Sequence, residues 1–195
     1  MNWKLILLIG LFGFGAYQHF ANQAVTYGNG AIAKQPPIQQ STNESNLYVN
    51  VYQIKPLQSF EISARVLSSE HYSLGREADL SPVDLAFGWG PMSDEAVLKD
   101  ITITQSGRFY YWQTNRFSIP REQIEQNSAN MHMIPADKTI ANTLNNIKNG
   151  QVVTIKGFLV EATASDGWHW KSSLSRIDTG AGACEIVYVK SISIT

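Results

Sequence analysis

The chain has a single cysteine, Cys184, in 195 residues. That excludes an internal disulfide framework and an all-cysteine metal knuckle. It is also short of charge: 16% of residues are charged, below the ~25% usual for a soluble globule. No sign of charge dominates. Fifteen Lys and Arg face sixteen Asp and Glu, for a formal net charge of -1. A protein that holds nucleic acid by neutralising many phosphates needs a basic excess, so that class is disfavoured. No uninterrupted apolar run reaches the ~20 residues of a full membrane span. The longest, Leu5 to Tyr17, has 13. No internal repeat is visible, and no motif fixes a reaction.

What is present divides into three parts. Residues 1–21 carry the apolar run behind a single charge, Lys4. Counted on to Val25 with polar interruptions, the stretch reads as an N-terminal membrane anchor, with a cleaved signal segment as the alternative. Lys4 would leave the N-terminus inside, so the expectation is a single-pass protein of a bacterial inner membrane with its C-terminal domain in the periplasm. Cleavage would instead release a soluble periplasmic protein. Residues 22–46 hold Pro36, Pro37 and a polar run and show no periodicity, as expected of a flexible linker. Residues 47–195 are long enough to fold around their own core.

Within that domain, Leu47 to Ile54 and Phe60 to Leu67 alternate as strands do. Leu85 to Asp94 reads as an aromatic loop punctuated by Gly and Pro. Ile101–Gln105 and Phe109–Trp112 flank Ser106-Gly107-Arg108 as a hairpin. Pro120 can open a short helix, and Asn130–Ile134 is a short strand. Asp137 can cap a helix carrying Ile140, Leu144 and Ile147, which Gly150 closes. Gln151–Glu161, Trp168–Leu174 and Glu185–Ile194 are further strands, with Gly157 marking a close approach. The composition is mainly β with inserted helices. A small Greek-key (OB-like) barrel is the favoured architecture and an α+β sheet the alternative.

Candidate chemistry lies in three places. The segment from Trp168 to Glu185 gathers His169, Lys171, Arg176, Asp178, Cys184 and Glu185. Cys184 with His169 or the distant His132 as base would make an acyl-transfer or hydrolase site, since an imidazole generates the thiolate. The competing reading makes Cys184 a small buried hydrophobe. His132, His169, Cys184 and Glu185 are all zinc-ligand types, but no CxxC or HxxxH spacing joins them, so neither metal nor cofactor is expected. The third place is aromatic. Trp89, Trp112, Trp168 and Trp170, with Lys171, Arg176, Asp178 and Glu185 nearby, form a candidate ligand-binding set. On a strand Trp168 and Trp170 share one face and His169 the other. Such a face stacks sugars or bases. Arg65, Arg76, Arg108, Arg116 and Arg121 would have to gather for the nucleic-acid version.

Two strings, Gly88-Trp89-Gly90-Pro91-Met92-Ser93-Asp94 and Arg176-Ile177-Asp178-Thr179-Gly180-Ala181-Gly182-Ala183-Cys184-Glu185, resemble those of uncharacterised exported or membrane-anchored single-domain proteins of Gram-negative bacteria. The resemblance implies export and one domain, and carries no activity. Cysteine-type peptidoglycan transpeptidases are set apart by a Ser-x-Gly-Cys-x-Arg arrangement that Ala181-Gly182-Ala183-Cys184-Glu185 lacks. The expectation is therefore a non-catalytic binding or structural domain of the cell envelope, whose partners are the inner membrane and an envelope protein, peptide or glycan. The alternatives are a Cys–His enzyme acting on envelope peptides, or single-stranded nucleic-acid binding in a barrel groove.

Overall fold

The fold is that of a computed structural model, which describes residues 7–9, 12, 23–175 and 184–195. The strands are β1 (Ile38–Ser41), β2 (Leu47–Val49), β3 (Tyr52–His71), β4 (Val83–Gly88), β5 (Ile101–Ser106), β6 (Phe109–Thr114), β7 (Ser128–Pro135), β8 (Val152–Thr163), β9 (His169–Lys171) and β10 (Glu185–Ile194). The helices are α1 (Arg76–Leu80), α2 (Glu95–Leu98), α3 (Arg121–Gln126) and α4 (Lys138–Asn145), with a 3-10 turn at Gly90–Ser93.

The architecture is a mixed α/β fold dominated by one eight-stranded sheet; the small Greek-key (OB-like) barrel expected above is met in a ring of pairings, β3-β4-β7-β10-β8 and back to β3, which β1, β2 and β9 extend beyond a simple barrel. The strand order runs β1-β3-β4-β7-β10-β8-β9, with β2 attached to β3 off that path and a further pairing of β3 with β8. β10 lies parallel to β7, whereas the other pairings are antiparallel. β5 and β6 form a separate two-stranded sheet. The reason is the length of β3. Its twenty residues pair with β8 from Gln53 to Arg65 and with β4 from Arg65 to His71. One strand thus coils the sheet around a core, and three short strands extend it.

Bulges decide which face each side chain takes. A register shift between Pro56 and Gln58 lets Tyr52 and Ile54 face one way and Phe60, Ile62 and Ala64 the other, although all are even-numbered. A second shift between Val189 and Ser191 brings Ile192 onto the face of Val187 and Val189. Simple alternation would have grouped Ile192 with Ile186 and Tyr188. Gly157 sits where a Cβ would overlap the Tyr188 carbonyl, so only glycine lets β8 and β10 meet there.

The inner face packs Phe60, Ile62, Leu85, Phe87, Met131, Met133, Ile155 and Val187 against Leu144 and Ile147 of the α4 region. α4 begins as the sequence implies: Asp137 Oδ1 accepts the Ile140 N–H at 2.9 Å. The outer face is also covered over much of its area, by Leu80 of α1 and by Trp168 and Trp170 around β9. A third cluster beneath the β5–β6 hairpin joins Met92, Val97, Ile101 and Ile124.

The segment expected to be a flexible linker lies against the body at several points. The N–H groups of Tyr27 and Gly28 donate to the Glu95 carboxylate at 2.7 and 3.0 Å, and that of Gly30 to Asp94 at 2.9 Å. β1 then pairs with Gln58–Glu61 of β3. The Gly88–Asp94 string thereby acquires a structural role, because its Ser93 and Asp94 hold this arm.

The membrane expectations are corrected. Among the described residues no helix is long and apolar enough to cross a membrane. The transmembrane anchor, the inner-membrane partner and the single-pass placement expected above therefore find no spanning helix among the described residues. The 13-residue run Leu5–Tyr17 falls short of the ~20 residues that bilayer thickness requires. Of the segment 1–21, only Leu7–Ile9 and Phe12 belong to the described residues; the rest lies outside them.

Candidate active site

The site is built on the outer face of β4 and β7. In β4, Val83, Leu85 and Phe87 enter the inner core, so Asp84 points the other way. In β7, Met131 and Met133 do the same, which turns His132 outward. The register places Asp84 directly opposite His132, and His132 opposite Ile186 of the parallel β10. Cys184, two residues before Ile186, falls one step along the same face. A cleft of about 300 Å³ opens there. His132, Cys184 and Trp170 line it together with Arg108 and Phe109 of the hairpin, and Glu77 of α1 and Lys171 of β9 stand on it as well.

Asp84 is 0% exposed and His132 1%. A carboxylate so deeply buried needs compensation. Arg108 supplies it, its Nη1 donating to Asp84 Oδ1 at 2.7 Å and to the Ser81 carbonyl at 2.9 Å. His132 Nδ1 lies 2.9 Å from the same Oδ1. The approach is off the hydrogen-bonding direction, however. His132 Nδ1, Asp84 Oδ2 and Gln105 Oε1 are the buried polar side-chain atoms left without a hydrogen bond among the described residues. Orphaned atoms are rare in folded proteins, and three in one cluster mark a site under tension.

The hairpin turn delivers Arg108. Gly107 has φ 58° and Arg108 φ 73°, the double positive φ of a type I′ turn. Glycine adopts this freely; for arginine it costs about 1 kcal/mol. The strain is held by many contacts. The Arg108 N–H donates to the Tyr72 hydroxyl at 3.0 Å, and the guanidinium lies 3.7 Å from the centre of the Tyr72 ring. Burial raises the Tyr72 pKa, so the phenol stays neutral beneath the cation. Asn130 Nδ2 donates to the Arg108 carbonyl at 3.0 Å, and Gln105 Nε2 donates to Asn130 Oδ1 at 2.7 Å. The turn is thus strapped to β7 beside His132.

The sequence candidates separate clearly. Cys184, half-buried, and His132, Trp170 and Lys171 meet at the cleft. His169 does not: it is exposed and alternates away from Trp170. Trp170 stacks near His132 (ring centres 4.8 Å apart) and near Trp168 (6.3 Å), so the two tryptophans do share a face. Trp168 is further packed on Tyr52 and under Arg76. Trp89 is buried in the inner core, and Trp112 is half-buried beneath the hairpin against Phe117. Glu185 is buried at the start of β10. Arg176 and Asp178 lie outside the described residues.

Among the described residues four of the five arginines are paired with carboxylates: Arg65, Arg76, Arg108 and Arg121 with Glu95, Asp166, Asp84 and Glu125 respectively, while Arg116 forms no ion pair. Among the described residues no group of three or more His, Cys, Asp or Glu is arranged to hold a metal ion. Asp84 and Arg108 are the site residues that sequence reasoning missed. A signal for Asp84 existed, since it is the one charge inside the alternating Val83-Asp84-Leu85-Ala86-Phe87. Comparison of the chain with family models, with curated proteins and with solved structures yields no match.

Proposed function

We propose that Cys184 is the nucleophile of an acyl-transfer or hydrolase site, with His132 as its general base. Asp84 orients the imidazole and Arg108 holds Asp84 in place. The observation that carries this reading is the buried Asp84–His132 couple opening onto the same cleft as the only thiol of the chain. In this scheme His132 Nε2 takes the thiol proton and Sγ attacks an acyl carbonyl carbon. The carbon–oxygen or carbon–nitrogen bond to the leaving group breaks, and the leaving group departs with the proton from His132. Water then hydrolyses the thioester, or an acceptor amine or alcohol takes the acyl group, and the thiol is regenerated. Asp84 acts through tautomer and orientation, as buried carboxylates behind catalytic imidazoles do.

The test is covalent trapping. Incubation with p-nitrophenyl acetate, acid quenching and mass analysis of peptides are expected to place an acetyl group on Cys184 and to show none there in Cys184→Ser. His132→Asn should slow the burst of p-nitrophenolate at least ~100-fold, the lower end for loss of a general base. Acetylation scattered over lysines, or a burst indifferent to His132→Asn, would remove the proposal.

A further inference from the structure

We infer that the cleft recognises a small zwitterion of dipeptide size, with the ligand's ammonium set against Glu77 and its carboxylate against Lys171. What happens to the acyl carbon at Cys184 rests on the function proposed above; the recognition itself stands apart from it. In this protein, cations that meet carboxylates do so closely: Arg65, Arg76, Arg108, Arg121 and Lys156 each lie 2.7–3.0 Å from one. The Glu77 and Lys171 side chains form no ion pair among the described residues, yet both line the one cleft that holds His132 and Cys184. They come from different elements, α1 and β9, and carry opposite charge. Two cations would suit a dianion; one charge of each sign suits a ligand with an amine and an acid.

Arg108 adds no free charge, because Asp84 and the Ser81 carbonyl already occupy it. Phe109, 40% exposed, and the half-buried Trp170 supply apolar walls for a side chain between the two ends. The volume of about 300 Å³ is at the lower limit of small-molecule sites. Two extended residues span about 7 Å, and the carbonyl of such a ligand lies between its charged ends. With a dipeptide as acyl donor, Sγ–C forms and C–N breaks. The C-terminal amino acid leaves with the proton from His132, and water releases the N-terminal one.

The experiment is calorimetric titration of the full chain with phenylalanylglycine, N-acetylphenylalanylglycine and phenylalanylglycine amide. It is done in the Cys184→Ser background so that turnover does not consume the probe. The free dipeptide is expected to bind, and blocking either end to weaken binding about tenfold, the equivalent of about 1.4 kcal/mol. Glu77→Gln should abolish the preference over the acetylated form only, and Lys171→Gln the preference over the amide only. Absence of dipeptide binding, or equal binding of all three, would overturn the inference. An inert thiol with end-selective binding would sink the enzymatic reading and leave this one standing; a reactive thiol without such binding would do the reverse.

Discussion

Arg108→Ala removes a guanidinium that faces a fully buried carboxylate. Breaking a buried pair from one side costs about 3–5 kcal/mol, because the remaining charge stays buried without its partner. Two features of the site adjust that figure. The positive φ persists with alanine, so Arg108→Ala recovers none of the turn strain, whereas Arg108→Gly should recover about 1 kcal/mol of it. Removing the carboxylate instead is milder. In Asp84→Ala the guanidinium, 18% exposed, keeps the Ser81 carbonyl and the Tyr72 ring, so about 1–3 kcal/mol is expected. The double variant should then be less destabilised than the sum of its parts by at least about 1.5 kcal/mol, since Arg108 has little charge left to answer once Asp84 is gone. Urea unfolding of the four proteins, read as midpoint shifts at constant slope, gives the cycle. An Arg108→Ala cost below about 1 kcal/mol, or a double variant additive within about 0.5 kcal/mol, would refute the claim that this pair holds the site together.

Three further outcomes are expected. Gly157→Ala forces a methyl into the Tyr188 carbonyl and should destabilise by about 1–3 kcal/mol or more in thermal unfolding; a neutral result would contradict the strand approach at that point. The Glu95 carboxyl is held below its usual pKa, first by the Tyr27 N–H and then by Arg65. A lowered folded-state pKa contributes stability above the unfolded value and loses it as pH falls through the folded one. Protection of the Tyr27 and Gly28 amides in hydrogen exchange should therefore persist at neutral pH and disappear in acid, with the step absent in Glu95→Gln. Asp137→Ala removes the cap on Ile140 N and should cost about 1 kcal/mol in urea unfolding; an unchanged midpoint would show that the cap contributes nothing.

Local features were legible in the residues and non-local ones were not. The hairpin around Gly107, the helix after Asp137 and the strand Glu185–Ile194 follow from turn chemistry, capping and alternation, and all three are present. β4 was obscured because Gly88, Trp89 and Gly90 punctuate its end and make a fully buried central strand resemble a loop. The coiled, extended sheet depends on bulges at Leu57 and Lys190 and on the reach of a twenty-residue strand, which no short window of sequence contains. Cys184 and His132 were recognisable by type. Their meeting was not, because it depends on parallel pairing between β7 and β10 across about fifty residues of chain. Asp84 and Arg108 join them through one antiparallel ladder and one turn from outside that ladder. The apolar N-terminal run read as an anchor by composition, and most of it lies outside the described residues.

The proposed role of Cys184 needs His132 as a base oriented by Asp84. The rate of iodoacetamide alkylation of Cys184 as a function of pH tests it most directly, on the full chain and on His132→Asn. Fast alkylation is expected at neutral pH in the natural protein, falling in the variant to a curve that rises near the ordinary thiol pKa of about 8.5. Identical curves for both proteins, each rising near that ordinary value, would contradict it.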